Sequence, residues 1–101
     1  MTNDRLAIVK YAFKHLSNGK SELCVNWLID NYNAKNHPRV LSREKNADVV
    51  HKDFSNYISE KAVNGKVSEE GFISYYTDLN AVLPAERDSY FIDIVNKTWG
   101  L

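Results

Sequence analysis

The sequence predicts an all-α fold: two helix–loop–helix units, paired through a short antiparallel contact between their loops, plus a C-terminal fifth helix. Three observations predict it. Apolar residues recur at helical spacing in five separate segments. Two Asn-Gly-Lys turns, at 18–20 and 64–66, interrupt the chain after the first and third of these segments. After each turn comes an apolar residue, Leu23 or Val67, placed to pair with the other as a one-residue β contact.

The elements follow in order. Leu6, Val9, Ala12, Phe13 and Leu16 share one face of a helix from about Asp4 to Leu16, with Asn3 as its expected N-cap. Ser17-Asn18-Gly19-Lys20 ends it, and Leu23-Cys24 is the candidate β segment. Val25, Leu28, Ile29 and Tyr32 form the second stripe. Pro38 then biases His37 away from helix. Ser42 is the expected cap of a long third helix reaching about Ile58, with Val50, Phe54, Tyr57 and Ile58 as its stripe. Ser68 caps the fourth, whose first turn carries Glu69 and Glu70 against the helix dipole and whose stripe ends near Leu79. Pro84 suits the first turn of the fifth, lined by Tyr90, Phe91, Ile94, Val95 and Trp99.

Composition bounds the rest. A length of 101 residues suits one domain, 1–101, with 44% hydrophobic residues for its core. Thirteen basic residues balance thirteen acidic ones, so charge points neither to nucleic acid nor to an acidic membrane surface. No apolar run is long enough for a membrane span. The opening MTNDRLAIVK has no signal-peptide segment, and the single Cys24 fits a reducing compartment, so a cytoplasmic protein is expected.

Phe54 to Tyr76 has the plan of an EF-hand. Gly65 stands at loop position 6, where the bend falls, and Val67 at position 8, where the partner hand is met. Counting from Val67 puts Glu60 at position 1, Ala62 at 3, Asn64 at 5 and Gly71 at 12. Inserting one residue makes Ser59, Lys61 and Val63 the early ligands instead. Neither register offers the six to eight oxygens calcium requires, and the second places an ammonium among them. In the first hand Leu23 is position 8, Trp27 position 12 and Ser17 position 1; Phe13 and Leu28 lie one residue closer than in a standard hand. An indole is a donor only, so this loop is expected to be dead for calcium. The boundaries are hand one at about 4–34, a linker at 35–41, hand two at about 42–79 and the last helix at about 84–99.

Four motifs, in order and with fitting gaps, carry a resemblance. They are Tyr32 followed by His37-Pro38-Arg39-Val40, Phe54 at its distance from Val40, Phe72-Ile73-Ser74-Tyr75-Tyr76, and Phe91 through Trp99-Gly100-Leu101. The chain resembles the C-terminal half of calcyphosine-like EF-hand proteins over nearly its whole length, although calcyphosines have four hands and this chain has two. The family's metal-ligand acids map onto Ser17 and Trp27 in one loop and Ser59 and Gly71 in the other. The resemblance implies the fold and the surface; these four residues withhold the calcium chemistry.

No enzyme is expected. His15, His37 and His51 have no zinc-like spacing with each other or with Cys24. Cys24 reads as a small buried hydrophobe, with nothing local to lower its pKa. No phosphate loop or nucleophile elbow occurs.

The expected function is a calcium-independent, EF-hand-family protein-binding module that takes an amphipathic target helix or packs into a larger cytoskeletal or signalling assembly. Its groove is assigned to Phe13, Leu28, Tyr32, Phe72, Tyr76 and Trp99, with Trp99 and Tyr76 as exposed anchors. No metal or other cofactor is expected. The alternative is a weak or conditional calcium sensor that uses Glu60, Asn64 and Glu69 with backbone carbonyls. The last helix is apolar on more than one face, so it should pack across the groove between the first and fourth helices. Trp99 should there meet Phe13 or Tyr76.

Overall fold

A computed structural model describes residues 1–101. Helix α1 spans Asn3–Leu16, strand β1 Glu22–Cys24 and α2 Val25–Asn31. A 3₁₀ turn at Ala34–Asn36 leads to the short α3, Pro38–Leu41. Then come α4 at Ala47–Lys61, β2 at Lys66–Ser68 and α5 at Glu69–Ala81. A second 3₁₀ turn, Ala85–Arg87, precedes α6 at Asp88–Trp99.

The two hands, α1–β1–α2 and α4–β2–α5, join through an antiparallel ladder that pairs Glu22 with Ser68, Leu23 with Val67 and Cys24 with Lys66. Strand side chains alternate, so only the middle pair, Leu23 and Val67, points into the core. Helix α1 packs on α5 and α6, α2 on α4, and α4 on α5. Phe13, Leu28, Phe54, Ile58, Phe72, Phe91 and Val95 form the centre of one apolar cluster.

Several boundaries differ from the sequence reading, each for a local reason. Thr2 rather than Asn3 caps α1, its hydroxyl accepting from the Arg5 amide at 3.3 Å. The linker is itself helical: Pro38 begins a turn of helix capped by the His37 ring, whose Nδ1 accepts from the Arg39 amide at 3.1 Å. Ser42 closes that turn, donating its hydroxyl to the Arg39 carbonyl, so it does not start the next helix. Arg43 has a positive φ of 65°, which helix cannot continue through, and Asn46 caps α4 instead. The chain therefore has six α-helices rather than five. Pro84 precedes a 3₁₀ turn, and the last α-helix starts only at Asp88.

Candidate functional site

Both loops are built on the same turn. In each, Asn and Gly take successive positive φ angles: 54° and 80° at Asn18-Gly19, 53° and 76° at Asn64-Gly65. Glycine reaches this region without the Cβ penalty, and asparagine is among the few other residues that visit it routinely. The second turn is closed from both sides, with the Val63 amide donating to the Lys66 carbonyl at 2.8 Å and the Lys66 amide to the Val63 carbonyl at 3.0 Å. In the first, the Lys20 amide donates to the Ser17 carbonyl at 3.1 Å. The echo of Asn-Gly-Lys is thus shared turn chemistry, two tight reversals of the two-residue kind.

These turns use the atoms that a metal loop would aim inward. Ser17, at position 1 of the first loop, is buried and donates its hydroxyl to the Lys20 carbonyl at 3.0 Å. In the second loop the Lys66 carbonyl, at position 7 where a hand offers its backbone oxygen, accepts from the Val63 amide at 2.8 Å, and the Gly65 carbonyl accepts from the Val25 amide at 2.9 Å, tying the two hands together. At position 12, Trp27 is 40% exposed, whereas Gly71 is buried. A Cβ on Gly71 would lie 3.2 Å from Val67 Cγ1 and 3.3 Å from Lys61 Cβ, so a side chain there needs these two neighbours to give way slightly. Glu60 and Asn64 are exposed and Glu69 half-buried, and no three His, Cys, Asp or Glu side chains converge anywhere. A calcium ion, with six to eight oxygen ligands, does not fit this donor set.

The groove residues sit elsewhere, in the core. Phe13, Leu28, Tyr32, Phe72, Tyr76 and Trp99 are all buried. Trp99 and Tyr76 are therefore not the exposed anchors the sequence suggested; the most exposed of the Trp, Tyr and Phe side chains are Tyr11 and Trp27. Helix α6 packs on α1 and on the 3₁₀ turn at Ala34–Asn36, and its Phe91 and Trp99 rings reach Tyr76 of α5. Of the two contacts expected for Trp99, the structure has the one with Tyr76: the indole Nε1 donates to the Tyr76 hydroxyl at 2.7 Å. The indole also lies edge-on to Tyr32 and Phe54, with ring centres 5.7 and 5.9 Å away. Tyr32 stacks on Phe54 at 3.9 Å and shares a 2.5 Å hydroxyl contact with Tyr75. Burial pushes the Tyr32 phenol up to about 12 and raises those of Tyr75 and Tyr76 well above the usual range, so all three stay neutral hydrogen-bonding groups.

One residue holds α6 in place that pattern reading passed over. Arg5, 1% exposed, points from the first turn of α1 into the core. Its Nε donates to Asp88 Oδ1 at 2.7 Å and its Nη1 to Asn80 Oδ1 at 2.9 Å and the Leu83 carbonyl at 3.2 Å. Its Nη2 reaches the Pro84 carbonyl, and the guanidinium lies over the Phe91 ring, 5.2 Å from its centre. Thr2 adds a hydrogen bond to the same Asp88 oxygen. The signal was present: Arg5 lies on the same helical face as Val9, Ala12, Phe13 and Leu16, a charge inside an apolar stripe. A planar fork suits that position, because each of its three nitrogens finds an acceptor and its face lies over an aromatic ring.

Cys24 also departs from expectation. It is exposed, on the outward side of β1, and backbone N–H groups of Trp27 and Asn26 at the start of α2 lower its thiol pKa.

Fold and loops together define a paired-hand lobe of the EF-hand type. No protein-family model matches the chain. It is similar to crustacean calcium-binding protein 23 of Faxonius limosus, at 35% identity over 101 residues, 98% of this chain and 49% of that protein. The chain spans about half the length of that relative. That relative is named for calcium binding, and the likeness does not single out the calcyphosines.

Proposed function

We propose that this chain is a calcium-independent protein-binding lobe of EF-hand type, acting in the cytoplasm, with α6 as the resident occupant of its target groove. The observation that carries the reading is the survival of one half of the EF-hand design without the other. The Leu23–Val67 pairing that makes two hands into one lobe is intact, while position 12 is Trp27 in one loop and a crowded Gly71 in the other. An EF-hand groove takes the apolar face of an amphipathic helix, and in this reading α6, with Phe91, Val95 and Trp99 buried, takes that place. A partner helix would have to replace or extend it.

A second reading has its own support. The relative is named for calcium binding, and Glu60, Asn64 and Glu69 with loop carbonyls are the oxygens a weak sensor would use. Calcium titration of the whole chain, followed by amide NMR, separates the two. The protein-binding reading expects no saturable shift below about millimolar calcium, the range of the weakest extracellular modules. Micromolar binding with a conformational change overturns it. The groove itself is tested by shortening the chain after Leu83 and supplying a peptide of residues 84–101. Binding of that peptide, and its competition by an amphipathic helix, is the expected result; a shortened chain that stays unfolded with the peptide present makes α6 plain core.

A further inference from the structure

With the target groove filled by α6, a different concavity remains open. It lies between α4 and α5 and is walled on its third side by the turn of helix at α3. Val50, Tyr75 and Leu79 form its apolar floor, Val82 is half exposed at its edge, and its volume is about 270 Å³. Free ligands of drug size occupy pockets of roughly 300–1,000 Å³ and are mostly enclosed by them. A smaller cleft open to solvent suits one side chain of a larger partner.

The charges around this cleft are arranged by the fold. Lys45 and Asp53 neutralise each other at 2.9 Å. Arg39 and Asp78 line the same cleft, yet neither has an ion-pair partner, in the other or elsewhere. The Arg39 side is held in position: its carbonyl accepts from the Lys45 amide at 3.1 Å and from the Ser42 hydroxyl at 3.2 Å, and its amide donates to the His37 ring. Burial, with Arg39 and Lys45 nearby, lowers the His37 pKa and keeps that ring neutral, so the free cation on this wall is Arg39. With one free cation, one free anion and an apolar floor, the cleft has no run of positive charge to hold a nucleic acid backbone.

We propose that the α3–α4–α5 cleft is a docking site for an amphipathic helix of a partner protein, presenting one aliphatic or aromatic anchor flanked by an acidic residue for Arg39 and a basic residue for Asp78. Positions three or four apart on a helix share a face, so one helix can offer all three groups together. A buried anchor inside a polar rim is how interfaces concentrate their energy. The inference rests on the reading that the partner is a protein, and it places docking away from the groove that α6 occupies.

The test uses the full chain and a capped, alanine-based helical peptide with Glu, Leu and Lys at successive i, i+4 positions. Its controls replace Leu by Ala, or both charged residues by Gln. Amide NMR is expected to show saturable shifts at Arg39, Val50, Tyr57, Tyr75 and Val82, with the Trp99 indole N–H unmoved. The Leu→Ala peptide and the exposed variants Arg39→Glu and Asp78→Lys should each bind about tenfold more weakly, like charges across a contact being costly. No saturable shift at millimolar peptide overturns the cleft as a site. Equal binding of the Gln peptide overturns its charge reading. Shifts led by the Trp99 indole move docking to the α6 groove, which removes this inference and leaves the proposed function standing.

Discussion

At one end of α1, Leu23 and Val67 meet across a three-residue ladder, each loop closed by its own Asn-Gly turn. At the other end, Arg5 gathers Asp88, Asn80 and the Leu83 and Pro84 carbonyls, all at least 75 residues away in the chain. The first end is assembled from short-range backbone geometry plus one apolar pair. The second depends on a single buried cation whose partners come from three later segments. The comparison teaches that one lobe closes in two ways: at the loops through backbone bonds and one apolar pair, and at α6 through the buried cation Arg5.

The largest effect should come from breaking the polar end. Arg5→Met keeps an unbranched apolar stem but removes the guanidinium, leaving Asn80 and two carbonyls without their donor and Asp88 without its cation. Removing one partner of a buried pair typically costs 3–5 kcal/mol; because Asp88 is 30% exposed, a loss of about 3 kcal/mol in urea unfolding is expected. A loss under about 1 kcal/mol would make the latch dispensable and α6 held by apolar contact alone.

Within the loop end, the two position-12 sites sharpen the contrast. Gly71→Glu must push Val67 or Lys61 aside, and overpacking of this kind costs about 1–3 kcal/mol in the same measurement. Trp27→Glu, at an exposed site, should change stability by no more than about 0.5 kcal/mol. Neither substitution should bring calcium affinity below millimolar, since one carboxylate does not make a set of six oxygens. A stable Gly71→Glu chain would show that the second loop has slack its packing does not suggest.

The sequence by itself determined the parts of this protein that rest on local chemistry. Helical stripes, the Ser68 cap, the two Asn-Gly turns and the registration of Leu23 with Val67 could be read because each depends on a few adjacent residues. The expectation that Ser17, Trp27 and Gly71 make poor calcium ligands comes from the same kind of local reading, side-chain chemistry at counted positions. Tertiary structure decided the remainder. Period alone cannot tell an apolar face that lines a groove from one that fills it, so Trp99 and Tyr76 looked like anchors until α6 was seen to bury them. Arg5 needed partners from Asn80 to Asp88 before its charge made sense in an apolar stripe. Cys24 became exposed only once the ladder turned Leu23 inward and its neighbours out. The cleft beside Arg39 and Asp78 exists because a linker that seemed a plain break at Pro38 winds into helix and forms its third wall. In each case the missing information is the same: which surfaces meet is a property of packing between distant segments, and no local pattern encodes it.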